Sequence, residues 1–355
     1  MNILQDALEQ ALAKALAERV LDEADVGRVT SKAVEHALPS IASTVLGALK
    51  RGAPEMLRHD RKLDAGFQWR NHKRWGPALD LLEMMWVISL EVGAEFNAKH
   101  RPAAVETSDY QFDALTLIHA RALLVVREVM CLLGGGYADG ALSRWRTLHE
   151  LAVAALFLNK HDAEVSHRYL ASFHFHALRA AEQLNEWAEE AGLDPLSDEE
   201  ITQMKRRCTA LEAAFGEEMR REYGWAAPAV GRRVPKFAHL EDAVDLGHWR
   251  PSYRWASQHT HSGHHPASSM LGTAESVEEV LLVGQSNSGF VDPIHMTALS
   301  LTLATSALLS TKPSFDDLLI IKILSNLTAE IGPLAIELER RTLQDARSPA
   351  LRSRD

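Results

Sequence analysis

The stretch ADGALSRWRTLHELAVAALFL, residues 138–158, decides the fold of this chain. After Glu150 it is apolar on nearly every side of a helix, which is typical of a helix at the centre of a bundle. Glycines 134–136 precede the stretch and indicate a helix break, and Asp139 follows as a predicted N-cap. We therefore expect a central helix over about residues 139–160.

The remainder of the chain also has helical periodicity. Ser197 and Glu200 form the signature of a capping box, and no alternating strand-helix pattern occurs. The fold class predicted is all-α, a multi-helix bundle with long irregular connections around residues 223–250 and 262–293. Further helices are predicted at about 77–98, 110–133, 162–190, 197–222, 251–261, 294–311 and 314–342.

Residues 1–57 carry apolar positions at helical spacing with acids and bases on the other face. This mixed charge favours a surface or dimerising helix over a helix lying on a membrane, so a homodimer is one expected assembly. The segment RGAPE, residues 51–55, indicates a hinge. The predicted domains are an N-terminal helical appendage at 1–57, a helical bundle at 58–345 and a disordered tail at 346–355.

Composition and charge limit the compartment and the partners. The 355 residues carry a net charge of −10, which disfavours non-specific adhesion to nucleic acid or anionic lipid. The two cysteines exclude a disulfide framework, and the first residues lack the basic and apolar run of an export signal. Ile294–Leu309 is too short and too polar to span a bilayer and indicates a buried core helix. We expect a cytoplasmic protein with no membrane partner.

One basic segment allows a local exception. Residues 58–75 hold six Lys or Arg and two Asp, with Phe67, Trp69 and Trp75 between them. Such a mixture suits a platform for single-stranded nucleic acid, and also an amphipathic helix anchored to a core by its aromatic rings. The second interpretation is favoured, and an RNA partner stays open.

Two polar groups interrupt the apolar pattern. Arg144, Arg146, His149 and Glu150 lie in the first half of the central helix, and the last three share one face. The segment 253–261 places Tyr253, Ser257 and His261 on one stripe of a second helix. Charged groups on buried helices need partners. We therefore expect the two groups to face each other, with Glu150 neutralising Arg146 in a poorly solvated place.

Several of these stretches resemble the bacterial proteins of the domain-of-unknown-function family 5677. The resemblance rests on HARALLVVREVMCLLGGGYADGALSRWRTLHELAV, then RYL at 168–170, YGWA at 223–226 and YRWASQHTHSG from Tyr253. It covers about residues 58–310. It implies an all-helical domain with Arg144, Arg146, His149, Glu150, Tyr253, Ser257 and His261 at the marked polar positions, and it supplies no activity.

Metal and cofactor signals are weak. His259, His261, His264 and His265 could supply imidazole ligands, but no Asp or Glu at close spacing completes a site, so the metal stays unknown. The glycine run at 134–136 lacks the Gly-Lys-Ser or Gly-Lys-Thr ending of a phosphate-binding loop. No cofactor is expected.

Three functions compete at this point. The first is a cytoplasmic interaction or regulatory protein, for example in stress response or phage defence, with an unknown protein partner and a structural polar cluster. The second is a metal-independent ribonuclease resembling the HEPN helical-bundle nucleases, because Arg144 and His149 are separated by four residues, as in the signature of those enzymes. The third is a metal-dependent hydrolase that uses the 259–265 histidines.

Overall fold

The computed structural model describes residues 23–260, 269–278 and 280–347, and this part of the chain contains helices and no strand. The predicted all-α class is confirmed. The chain divides into two compact units between Phe67 and Gln68. The predicted domain limits at 57/58 and 345/346 stay predictions.

Five long helices form the first half of the described chain. They are α1 (Glu23–Thr107), α2 (Tyr110–Gly135), α3 (Ala138–Lys160), α4 (Ala163–Ala191) and α5 (Asp198–Phe215).

The second half has three short helices, then two long ones. They are α6 (Ala227–Val230), α7 (Phe237–Ala243), α8 (Arg250–Gln258), α9 (Val291–Leu309) and α10 (Phe315–Arg347).

Helix α3 lies at the centre of the second unit, as its sequence predicts. It packs against α2 and α9, and α7 and α8 cover another side. The indole N–H of Trp145 donates to the backbone oxygen of Met296 at 2.9 Å and to the hydroxyl of Ser300 at 3.0 Å. The buried indole therefore has its donor satisfied, and this bond fixes α3 against α9.

A short turn joins α2 to α3. Gly136 ends α2 in the left-handed conformation at φ 87°, where a side chain would be strained. The predicted break at the glycine run is confirmed, but Asp139 is not the N-cap. Helix α3 begins at Ala138 after Tyr137, and the Asp139 carboxylate instead accepts the N–H groups of Leu271 and Gly272 at 2.8 and 3.0 Å.

Three helix limits differ from the sequence expectations. The hinge expected at residues 51–55 is wrong, because α1 continues through it. Since α1 runs to Thr107, the separate helix expected at 77–98 is part of a longer one. Helix α5 starts in the predicted capping box but ends at Phe215, because Gly216 at φ 101° leaves the helical region.

The connection at 223–250 is not irregular throughout. It contains α6, α7 and the short 3₁₀ helices Gly224–Ala226 and Gly247–Trp249. Of the second expected irregular connection, residues 269–278 and 280–290 are described, and their regular structure is the 3₁₀ turn Leu271–Thr273.

Two apolar helices close the described chain. The predicted burial of 294–309 is confirmed, since most of α9 is buried. By length and composition alone, Phe315–Gln344 is long and apolar enough to cross a membrane, a test that the core helix of a bundle also passes. The buried hydroxyls of Thr302 and Thr328 meet at 2.8 Å and join α9 to α10.

A buried histidine joins α1, α2 and α9. The ring of His119 is hydrogen-bonded to the hydroxyl of Thr305 at 3.1 Å, and it lies directly over Gly93. A Cβ atom at residue 93 would come within 2.4 Å of the imidazole. Burial lowers the pKa of His119 from 6.5 to about 4, so the ring is neutral at pH 7.

We predict that Gly93→Ala destabilises the second unit by about 1–3 kcal/mol, because the His119 ring must move in a tightly packed interior. Alanine is more favourable than glycine within a helix by about 1 kcal/mol. Helix propensity alone would therefore make Gly93→Ala stabilising. Gly134→Ala is the control, since a Cβ there meets nothing within 4 Å. Denaturant unfolding measures both, and equal stabilities would contradict the packing argument.

We also predict an acid-sensitive contribution from His119. Its pKa is depressed in the fold, so its stabilising effect is complete above pH 6.5 and is lost as the pH falls toward about 4. The loss at the acid end is on the order of 3 kcal/mol. Because other histidines also titrate, the measurement is the difference between wild type and His119→Asn in unfolding free energy across this range. A difference that does not change with pH would contradict the prediction.

Candidate functional site

Three residues form a polar cluster at the surface of α3 and α8, which we call the surface triad: Arg146, Glu150 and Tyr253. The guanidinium of Arg146 donates to the Tyr253 hydroxyl at 2.7 Å, and this hydroxyl donates to Glu150 at 2.5 Å. Arg146 and Glu150 also form an ion pair at 3.0 Å, and each side chain is 32% exposed. The two predicted polar stripes therefore meet, but the meeting point is partly solvated.

A second cluster, which we call the buried triad, lies behind the first: His149, Glu241 and Arg250. The Nε2 atom of His149 is 2.9 Å from one Glu241 oxygen, and Nε of Arg250 is 2.5 Å from the other. The Arg250 contact is an ion pair without hydrogen-bond geometry. Glu241 is fully buried and His149 is 2% exposed, so this carboxylate has its charge balanced inside the protein.

Aromatic rings pack around His149, while Arg250 at the edge of the buried triad keeps 24% of its side chain exposed. His149 contacts the rings of Trp145, Phe237 and Tyr253, with centroids 5.2, 5.9 and 5.9 Å away. Phe237 also packs against Tyr253 at 4.8 Å. Short helix α7 thus supplies both the carboxylate and part of the apolar cover.

Electrostatics keep the Tyr253 hydroxyl neutral and the Arg146 guanidinium charged at pH 7. Burial, then the bond to Glu150, raises the pKa of Tyr253 well above its usual range. Burial opposes the charge on Arg146, but the bond to Tyr253 and the carboxylate of Glu150 outweigh it and raise the pKa of the guanidinium. Tyr253 is therefore a neutral hydroxyl at pH 7 and relays a hydrogen bond between two opposite charges.

Two of the remaining predicted site residues, Arg144 and Ser257, make other contacts. Arg144 pairs with Glu128 on α2, and it also reaches the hydroxyl of Thr147 on its own helix at 3.3 Å. The Ser257 hydroxyl donates within its own helix to the Tyr253 backbone oxygen at 2.8 Å. His261 lies outside the described residues, as do His264 and His265.

The described residues contain no group of three or more His, Cys, Asp or Glu that could hold a metal ion. Of the four histidines considered as ligands, His259 is described, and its Nδ1 atom lies 3.3 Å from Asp139. Asp139 already accepts two backbone N–H groups. The contact fits a structural role in holding the 271–272 backbone.

The comparisons with known proteins identify this region. Residues 112–278 match the family of unknown function DUF5677. The resemblance seen in the sequence is confirmed over this segment, which is shorter than the expected 58–310. No curated protein and no solved structure matches the chain.

The DUF5677 segment contains both triads. It also includes two functional-site candidates that the sequence reasoning missed, Glu241 and Arg250. A usable signal was present: Phe237, Leu240 and Glu241 lie at i, i+3 and i+4, which places an acid on the apolar face of a short helix. An acid on such a face needs a buried partner.

The same segment carries a large apolar groove between α2 and α4, with a volume of about 630 Å³. Its rim is open, since Leu117 is 61% exposed and Phe173 is 67% exposed. Most of its exposed surface is apolar, and a base, Arg121, and an acid, Glu222, are among the residues that line it. The lining residues are Leu117, Ile118, Arg121, Leu151, Tyr169, Leu170, Ser172, Phe173, His176, Glu222, Tyr223 and Trp225.

The two triads predict an order of stability effects. Glu241→Ala removes a fully buried carboxylate that His149 and Arg250 both contact, and it should cost about 2–4 kcal/mol, since Arg250 is partly exposed and keeps Asp242 at 3.9 Å. Glu150→Ala removes a partly solvated acceptor and should cost about 1–2 kcal/mol. This is less than the loss of a fully buried carboxylate would cost. Lys160→Ala removes an exposed side chain bonded to the backbone oxygen of Ala243 and should cost under about 1 kcal/mol. Denaturant unfolding of the three variants checks the order, and a smaller effect at Glu241 than at Glu150 would contradict it.

Proposed function

We propose that this chain is a cytoplasmic helical interaction protein whose polar clusters are structural. The observation that carries the proposal is the internal pairing of the charges. Each charged group of the surface and buried triads has an opposite charge within the chain, and His149 is sealed from solvent. Charges that are paired within the chain support a fold, and a buried imidazole such as that of His149 does not reach a substrate proton as a catalytic base must.

The groove between α2 and α4 supports binding of another protein. Small-molecule sites usually enclose most of the ligand, whereas Leu117 and Phe173 stand open at this rim. An amphipathic helix presents apolar side chains at i, i+3, i+4 and i+7 to such a groove. Within the described residues Arg121 makes no ion pair. The partner segment that fits is therefore an amphipathic helix with an acid where it faces Arg121 and no acid where it faces Glu222.

The ribonuclease alternative receives no support from the geometry. A nuclease of that type needs a His and an Arg at one phosphate. Arg144 is paired with Glu128 on α2, whereas His149 is paired with Glu241 under α7. Since the two side chains have separate partners and His149 is buried, they do not form a shared phosphate site within one chain.

The test uses a photo-crosslinking residue at Phe173 in cells, with Trp187 as the control position. Both are aromatic, on α4, and similarly exposed, at 67% and 59%, but only Phe173 lines the groove. We expect a protein adduct from position 173 alone. The purified partner should bind the wild-type chain and lose at least about tenfold in affinity with Leu117→Asp, the effect of losing a central apolar contact.

Two outcomes would contradict the proposal. One is a crosslinked adduct of equal yield from both positions, or no adduct from either position. The other is cleavage of single-stranded RNA by the purified chain in the presence of a chelator, with cleavage lost in His149→Ala at unchanged helical content. That result would require His149 to become accessible and would support the nuclease.

A further inference from the structure

The first unit exposes a long row of apolar side chains on α1. Within residues 23–67, the described part of this unit, α1 is the only element. Eight large apolar side chains on it are between 38% and 61% exposed. They are Leu38, Ile41, Val45, Leu46, Leu49, Met56, Leu57 and Leu63.

Six of these side chains form one stripe. At 100° per residue, Leu38, Ile41, Val45, Leu49, Met56 and Leu63 lie within an arc of about 80°. Most of the bases lie on the opposite side of the helix. The stripe has the seven-residue repeat of a coiled coil, with Ala42, Leu49, Met56 and Leu63 at one core position and Leu38, Val45, Gly52, His59 and Gly66 at the other. The repeat runs from Leu38 to Gly66, which is close to four heptads.

This helix is not a strong helix former by itself. Pro39 and Pro54 each remove a backbone donor, and Gly47 and Gly52 weaken the helix further. Isolated helices are marginal in water, and most helical stability comes from packing of an apolar face. The stripe therefore needs a covering partner.

Charges beside the stripe select the partner and its direction. Glu55 and Lys62 flank one side, and Asp60 flanks the other. In a parallel pair of identical helices Glu55 would face Asp60 of the other copy, which is repulsive. Glu55 and Lys62 occupy the same flanking position of successive heptads. In an antiparallel pair these equivalent positions meet, so Glu55 of each copy faces Lys62 of the other.

The core positions agree with the antiparallel arrangement. When Met56 of one copy is level with His59 of the other, Leu49 is level with Gly66 and Leu63 is level with Gly52. Large side chains then oppose small ones, which lets the two backbones approach and fills the core. In this register residues 49–66 of one copy lie beside the same residues of the other, running in the opposite direction. We infer that residues 49–66 of α1 form an antiparallel coiled coil with the same segment of a second copy.

The first experiment measures the mass of the full-length chain by sedimentation equilibrium at several concentrations. The wild type should be a dimer in the micromolar range, and Leu49→Asp with Leu63→Asp should weaken dimerisation at least about 100-fold, as expected for charges placed in a desolvated seam. Leu57→Asp is the control, because Leu57 is 41% exposed but lies off the stripe. A monomeric wild type, or an equal loss with Leu57→Asp, would overturn the inference.

The second experiment tests the direction of the helices at low salt. In the antiparallel dimer Glu55→Lys places like charges opposite Lys62, so the dimer should weaken by about 2–10-fold, and Glu55→Lys with Lys62→Glu should restore it. A parallel dimer would instead tighten with Glu55→Lys, since Asp60 gains a partner. Such tightening, or binding of a monomeric chain to vesicles of phosphatidylserine and phosphatidylcholine through the stripe, would overturn the assignment.

Discussion

The second unit depends on one constraint: α3 is surrounded by other helices and nevertheless carries charged side chains. A charge at such a position is tolerated only when an opposite charge lies beside it. On α3, Arg144 pairs with Glu128 and Arg146 with Glu150, while His149 and Arg250 both contact the carboxylate of Glu241. Helices α3, α7 and α8 are therefore linked by a fully buried acid. The connection that carries α7 must place Glu241 between His149 and Arg250.

This constraint explains the regular structure in the connection after α5. A segment rich in Gly and Pro would otherwise cross the bundle as loop, but α7 must present Glu241 inward and Phe237 beside it. The seven-residue helix does both, since the two side chains are four positions apart. Burial of a charge thus determines local backbone structure here, and local propensity does not.

The sequence was sufficient for the parts of the fold and site that follow helical periodicity. It placed α3 at the centre and joined Arg146 with Glu150, because residues at i and i+4 share a face. It brought Tyr253 to them because polar groups on apolar helices need partners. It missed Glu241 because α7 is too short to show a period, and it assigned a hinge at Pro54, where α1 continues. It also grouped Arg144 with His149, although five positions on a helix turn the side chains about 140° apart.

The central position of α3 also limits how this protein can change during evolution. Its side chains contact several neighbouring helices at fixed positions. Trp145 of α3 bonds to α9, and Glu150 of α3 bonds to α8. Substitutions of similar shape preserve that register, whereas a single inserted or deleted residue turns everything beyond it by about 100°. Relatives that keep this architecture should therefore differ in length at the surface connections, while the interval from Arg146 to Glu150 stays constant.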